Sequence, residues 1–236
     1  MQIPSLRSLA ILACFLAASA GATSEHQYGK GEYAIIRHGL APNRQMSLAS
    51  HGPGKNNDDD FHVWLMSEPA HRKIVRLDDI SSENNLDTDP DAYHAFWSRD
   101  SRHVGVAFRR DRHEVQFNLY GIENRKARLL TGPDLFREVN HREVRQEDDQ
   151  RQFNAMVEWH GRDRFTLKEF RSFVAEDDSL AKLFGKYGRV AEKLPDDKLF
   201  IQFYVNAECE IESGGKYRIV RIEPGNPKDV ESWWDQ

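Results

Sequence analysis

The sequence predicts an all-β fold: mainly strands with one or two helical insertions, arranged as an incomplete propeller-like array of β-meanders or as a β-sandwich. Two observations support this prediction. Apolar and polar residues alternate through 201–211, which is typical of a strand with one buried face. Two turn–strand units, which begin at Leu40 and Trp97, follow the same plan 57 positions apart. A repeat of that length suits stacked or radial sheets.

The composition is that of a folded chain with a sizeable core. Of 236 residues, 39% are hydrophobic and 30% are charged, which is more apolar material than a disordered chain carries. The formal net charge is −5, so electrostatics gives no reason to expect a phosphate-rich partner. We therefore expect no nucleic-acid partner.

Residues 1–22 have the three parts of a cleaved signal peptide. A basic residue precedes a short apolar run at 9–17, and two small-x-small cleavage sites follow it, which give a signal peptide of 1–20 or 1–22. The apolar run is too short to span a bilayer, and no second run of spanning length follows. The sequence thus predicts a periplasmic or secreted protein without an integral membrane segment after cleavage.

The two cysteines bear on processing and on disulfides. Cys14 ends a loose lipoprotein cleavage motif at 11–14, so lipoprotein processing is an alternative to soluble export. Soluble export is favoured, because cleavage before Cys14 would leave an unusually short apolar run. After removal of the signal peptide Cys209 is the only cysteine left, so no internal disulfide can form. Its position in an alternating strand predicts a small, buried apolar residue.

The mature chain divides into three parts. Residues 23–32 are polar and contain glycine, which predicts a flexible leader. Residues 33–225 form a single mostly-β domain, and 226–236 form a C-terminal tail that carries Trp233 and Trp234. We expect these tryptophans to cover an edge of the core.

Each of the two turn–strand units predicts a β-meander. In both, an apolar or aromatic residue precedes a turn, and the turn consists of residues that tolerate turn dihedrals. A strand in which apolar and polar residues alternate follows the turn. A strand with aromatic residues and then a basic–aliphatic strand follow. These strands are 61–65 and 72–77 in the first unit and 117–120 and 125–130 in the second.

The C-terminal half predicts one hairpin and two helices. Strand 201–211 is followed by Gly214 and Gly215, which allow a tight turn, and then by a return strand whose basic residues face glutamates. One helix opens at Asp134 and continues in a charged run to about Gln150. The other is 179–184, with Ser179 as its N-cap and a glycine at its end.

The two turn–strand units resemble the WD40-like β-propeller repeat of TolB-type periplasmic proteins, over residues 33–131. That repeat has an aromatic residue, Ser-Pro-Asp-Gly, a basic residue and an alternating strand. Residues 97–102 match it with Arg99 in place of the proline and Ser101 in place of the glycine. Residues 40–45 keep the proline but lack the tryptophan, the aspartate and the glycine. A full propeller needs more residues than the exported chain has, so the resemblance implies a truncated or partly open array. It also implies protein binding or scaffolding in the envelope, with no catalytic residues.

An Arg-His-Gly sequence offers an enzymatic alternative. Arg37, His38 and Gly39 follow an apolar strand, which resembles the opening of histidine phosphatases, where a histidine takes the phosphoryl group and arginines clamp its oxygens. That chemistry also needs a second arginine, a late histidine and an acid in one pocket. Arg72 and His160 lie in the motifs that come nearest, and both motifs depart from the family pattern.

Three charged loops are candidate ion sites, and each is interpreted as a solvated loop. Consecutive carboxylates at Asp58, Asp59 and Asp60 point in opposite directions in extended chain. Residues 87–91 begin like an EF-hand loop but lack its glycine and its bidentate glutamate, and 109–112 are a basic turn beside acids. The histidines do not have the spacing of a zinc motif. We therefore predict no metal and no cofactor.

These observations together favour an exported cell-envelope protein that binds or scaffolds another protein and does not catalyse a reaction. The alternative is a histidine-phosphatase-like hydrolase that uses Arg37 and His38. A third hypothesis is a small-ligand sensor, which a deep pocket ringed by Trp64, Trp97 and Trp159 would favour.

Overall fold

The computed structural model describes residues 23–54 and 60–226. In these ranges the chain forms thirteen strands in two sheets and two short α-helices, so the predicted mostly-β fold is confirmed. The predicted signal peptide, Asp58 and Asp59 of the acidic loop, and the two tryptophans of the tail lie outside the described residues.

The first sheet consists of two four-stranded meanders that lie side by side. Its strands are β1 (Ala34–Leu40), β2 (Met46–His51), β3 (His62–Ser67), β4 (Arg72–Ser81), β5 (His94–Trp97), β6 (His103–Arg109), β7 (Val115–Glu123) and β8 (Lys126–Leu130). Their order is β4-β3-β2-β1-β5-β6-β7-β8. The meanders join where β1 and β5 pair in parallel, with Arg37 opposite His94. The outermost strands β4 and β8 approach each other, so the sheet is nearly closed.

The second sheet is antiparallel and comes from the C-terminal half. Its strands are β9 (Gln150–Trp159), β10 (Arg164–Ala175), β11 (Gly188–Lys193), β12 (Leu199–Glu212) and β13 (Lys216–Pro224), and the helices are α1 (Leu135–Asn140) and α2 (Ser179–Phe184). The order is β11-β12-β10-β9, and β13 also pairs with β12. No helix in the described ranges combines the length and apolar character needed to cross a bilayer.

The turns of the two repeated units have the same geometry, which confirms the repeat. The turns are 41–44 and 98–101, and in each the fourth residue has a positive φ, 56° at Arg44 and 61° at Ser101. The side chain before it, Asn43 or Asp100, accepts a hydrogen bond from the backbone N–H two residues further on, at 2.9 and 3.1 Å. The two turns also touch, because the N–H of Asn43 donates to Oγ of Ser101 at 3.0 Å.

The predicted hairpin is present as β12 and β13. Gly214 and Gly215 take φ values of 90° and 79° in the turn, which side chains disfavour. Glu210 lies opposite Arg218 and accepts a hydrogen bond from it at 2.5 Å. Cys209 lies on the buried face, and burial raises the pKa of its thiol to about 12. The prediction that Cys209 is a buried residue is therefore confirmed.

Both helices differ from the prediction at one end. The first stops at Asn140 and does not reach Gln150, because His141 takes the left-handed conformation that ends a helix. The second begins at Ser179, but its N-cap residue is Asp178. The backbone N–H of Ser179 donates a hydrogen bond to the carboxylate of Asp177 in the preceding loop. The charged run after the first helix carries no sequence signal for that stop.

The segment predicted as a flexible leader, 23–32, packs against the first sheet. The Tyr28 side chain is buried, and its hydroxyl contacts Oγ of Ser50 and the carbonyl of Thr88, both at 2.7 Å. Burial raises the pKa of Tyr28 to about 12. The leader thus extends the core of the first sheet.

Two main hydrophobic clusters hold the described chain together. One is built from strands of the first sheet, and the other joins both sheets through residues such as Leu119 of β7 and Phe203 of β12. Gly105 of β6 lies in the contact between the sheets. A Cβ there would come within 2.6 Å of the Phe117 ring and 2.8 Å of a Val157 methyl group. The absence of a side chain therefore lets β9 approach the first sheet.

We expect Gly105→Ala to lower the free energy of unfolding by about 1–3 kcal/mol, because the added methyl overpacks the contact between the sheets. Gly121→Ala on the adjacent strand is the matched control, since its nearest neighbour would lie at an ordinary 3.5 Å. Chemical denaturation measures both. Equal stability of the two variants would contradict the role assigned to Gly105.

Candidate functional site

A cleft of about 840 Å³ lies where the first sheet meets the edge of the second. One wall comes from the ends of β1 and β5 and the turns that follow them, and the other from β9 and a neighbouring position of β10. The first wall includes His38, Leu40, His94, Phe96, Trp97 and Arg99, and the second Met156, Glu158, Trp159 and Lys168.

A bulge in β1 brings His38 to the cleft. β1 pairs with β2 at Ile35 and again at Leu40. Between these two positions, the four residues 36–39 of β1 lie opposite a single residue of β2, Leu48. His38 has φ 56° in this bulge. The next residue must be glycine, because a Cβ at Gly39 would lie 2.5 Å from the carbonyl oxygen of Leu48.

Backbone hydrogen bonds fix the two tryptophans of the cleft. The indole N–H of Trp97 donates to the carbonyl of Gly39 at 3.0 Å, and that of Trp159 donates to the carbonyl of Phe96 at 2.9 Å. The Phe96 ring in turn stacks on His94, with centroids 4.6 Å apart. Because each indole donor already has its partner, the rings contribute apolar, aromatic surface to the cleft.

The charged side chains of the cleft do not balance. Nζ of Lys168 lies 2.8 Å from Oε2 of Glu158, and this hydrogen bond lowers the pKa of Glu158. Arg99 is exposed at the rim, and within 23–54 and 60–226 it forms no ion pair. The lining therefore carries one neutralised pair and one additional cation.

His94 is buried at the back of the cleft, with 3% of its surface exposed. Burial, and then the electrostatic effect of the neighbouring His38 and Arg37, lowers the pKa of His94 to about 4. His94 is therefore uncharged at neutral pH and adds to the aromatic wall. The edge of one imidazole meets the face of the other, with the His38 and His94 centroids 4.8 Å apart.

The residues of the phosphatase hypothesis are spread over the first and second sheets. His38 lines the cleft, whereas Arg37, Arg72 and His160 do not. Arg72 begins β4, and His160 lies in the turn after β9, where its ring contacts the Thr166 hydroxyl at 2.6 Å. The structure thus brings His38 to a cavity without the second arginine and the late histidine of the hypothesis.

Two of the three tryptophans named from the sequence meet in the cleft. Trp97 and Trp159 line it, whereas Trp64 lies on β3 with Nζ of Lys73 4.8 Å from its ring centroid. Sequence reasoning missed Lys168 as a site residue and noted Arg99 only as a departure from the repeat pattern. Neither had a local signal, because the cleft forms only when the two sheets pack.

The candidate ion loop at 87–91 is not fully solvated, which corrects the interpretation above. The Asp87 side chain is buried and accepts two hydrogen bonds from the Arg109 guanidinium, at 2.6 and 2.7 Å, and one from the N–H of Ser24 at 2.6 Å. Asp89 caps a short 3-10 helix through the N–H of Asp91. In the described part of the chain, no three or more His, Cys, Asp or Glu side chains are grouped to hold a metal ion.

Comparison with known protein families gives no matching family model. Comparison with curated proteins likewise gives no match. The fold and the cleft themselves define the class of the chain: it is a mostly-β protein with an open groove, lined by aromatic residues, between two sheets.

Proposed function

We propose that this chain is a non-catalytic binding protein of the cell envelope that holds an apolar or aromatic group of a protein partner in the cleft. The observation that carries the proposal is the cleft of about 840 Å³ with two tryptophans fixed by backbone hydrogen bonds. The envelope location rests on the signal peptide that the sequence predicts at 1–20 or 1–22, and soluble export remains favoured over a lipid anchor at Cys14.

The rim of the cleft supports a protein partner. His38, Leu40, Pro42 and Arg99 are all exposed there, so the cleft is an open groove. Aromatic residues and arginine supply much of the binding free energy at protein interfaces, especially in pockets from which the bound partner excludes water. The TolB-type resemblance over 33–131 implies the same kind of role.

A small-ligand sensor is the second candidate function. The presence of both Trp97 and Trp159 in one cavity favours it, because small-molecule sites are mostly apolar clefts with a few polar groups that orient the ligand. The exposed rim distinguishes the two candidates, since a small ligand needs closer enclosure than a protruding partner segment.

Leu40→Asp tests the proposed function. Leu40 lines the cleft and is 45% exposed, so an aspartate there places charge on the apolar surface without opening the core. We expect recovery of a partner from envelope extract, after cross-linking to the processed chain, to fall about tenfold or more.

Val220→Asp is the matched control, because Val220 is 53% exposed on β13 and does not line the cleft. It should recover the same partner as the unchanged chain. Equal recovery by both variants would overturn the proposal. Phosphatase activity that disappears in His38→Ala would overturn its non-catalytic part.

A further inference from the structure

We propose that the group bound in the cleft combines an aromatic part with a carboxylate, so that the partner segment presents an aromatic side chain directly beside a carboxylate. This inference rests on the proposed function, because it names the chemistry of the group held in the same cleft. It depends on two features of the lining: the fixed aromatic wall and Arg99, a cation with no ion pair to the residues that the structure describes.

The aromatic wall selects the ring. Trp97 and Trp159 have their indole donors bonded to backbone carbonyls at 3.0 and 2.9 Å. Phe96 stacks on His94 beside them. Such a wall offers apolar surface and π faces and no indole hydrogen bond, and aromatic pairs gain free energy beyond the area that they bury.

The unbalanced cation selects the negative charge. Lys168 and Glu158 neutralise each other at 2.8 Å, which leaves Arg99 as the additional charge of the lining. A guanidinium presents a rigid fork of donors that fits a carboxylate through two parallel hydrogen bonds. A cationic group would find the opposite situation, since among the described residues Glu158 is the only carboxylate that lines the cleft and Lys168 already contacts it.

A pair of ligands that differ only in charge tests this inference. N-acetyl-L-tryptophan carries an aromatic ring and a carboxylate, and N-acetyl-L-tryptophanamide carries the same ring with a neutral amide. We expect the processed chain to bind the carboxylate about tenfold more tightly, as measured by ligand-observed NMR titration, because the Arg99 guanidinium then pairs with an anionic acceptor that has two oxygens, whereas the amide offers one neutral carbonyl.

Three variants assign the difference to the cleft. Arg99→Gln should bring the two affinities within about twofold of each other. Arg102→Gln is the matched control, since Arg102 belongs to the same turn but does not line the cleft, and it should keep the full difference. Glu158→Gln releases Lys168 from its counter-charge, so it should increase the affinity for the carboxylate and leave the affinity for the amide unchanged.

Two peptides identify the source of the carboxylate. One ends in tryptophan with a free C-terminus, and the other has aspartate before a tryptophan amide. Tight binding of either supports the inference, and the preferred one shows whether a chain terminus or an acidic side chain is held. Equal affinity of the unchanged chain for the acid and the amide would overturn the inference. The proposed function would still stand in that case if Leu40→Asp lowers partner recovery, and it fails if Leu40→Asp has no effect.

Discussion

We expect Arg171→Ala to lower the free energy of unfolding by about 3–5 kcal/mol, because it leaves a buried carboxylate without its partner. Nε of Arg171 lies 2.6 Å from Oε1 of Glu169, and the two residues are only 8% and 6% exposed. The guanidinium also lies 4.5 Å from the centroid of the Phe153 ring and 5.1 Å from that of Phe136. The substitution therefore removes two ion pairs, with Glu169 and with Asp134, and two cation–π contacts from the junction of β9, β10 and α1.

Arg164→Ala is the matched control on the same strand. Its side chain is 74% exposed and pairs with Glu210 at 3.5 Å, so its loss should lower stability by less than about 1 kcal/mol. The double substitution Glu169→Leu with Arg171→Met should recover most of the stability, because it removes both buried charges and keeps the volume. Denaturant titration measures all three. A loss as small as that of Arg164→Ala would show that the buried pair contributes little.

The pH dependence of Arg171→Ala gives a second measure of the same contact. Burial raises the pKa of Glu169, and the Arg171 charge opposes that rise. Without Arg171 the folded-state pKa rises further, and a group with a raised folded pKa adds stability below its unfolded pKa that is lost as the pH rises. The deficit of the variant should therefore be smaller at pH 5 than at pH 8.

Local sequence patterns predicted the individual strands of this fold better than they predicted which strands lie next to each other. The alternation at 201–211 and the paired glycines after it fixed the β12–β13 hairpin, and the repeat of 57 residues matches two turns with the same hydrogen bonds. The parallel pairing of β1 with β5 and the split into two sheets were not predictable in this way. A period of two shows which side chains face the core, but not which strand lies alongside.

The site was only partly predictable for the same reason. Trp97 and Trp159 were candidates as aromatic residues and His38 as part of an Arg-His-Gly motif, and all three line the cleft. Lys168 lies on β10 between two buried residues, and Arg99 lies in a turn of the first sheet. Lys168 and Arg99 come to line the same cleft only because β9 packs the second sheet against the ends of β1 and β5, and no local sequence pattern reports that packing.

His94 should make the protein sensitive to acid. Burial first, and then the electrostatic effect of the neighbouring His38 and Arg37, lowers its pKa from 6.5 to about 4. Between these two values the unfolded chain binds a proton that the folded chain does not, so stability rises with pH. This contribution is complete above pH 6.5 and is lost as the pH falls toward 4, by up to about 3 kcal/mol.

His94→Phe isolates this effect, because phenylalanine keeps the stacking on Phe96 and cannot take up the proton. Burial also lowers the pKa values of His62 and His103 and raises that of Glu169, but these groups are present in both chains, so their effects cancel in the comparison. The stability of the unchanged chain relative to the variant should therefore fall steadily between pH 6.5 and 4.5 in denaturant titrations. Parallel curves would mean that the folded chain accepts the proton at His94 as readily as the unfolded one. The cleft would then carry a further positive charge in mild acid, and its preference for a carboxylate would grow as the pH falls.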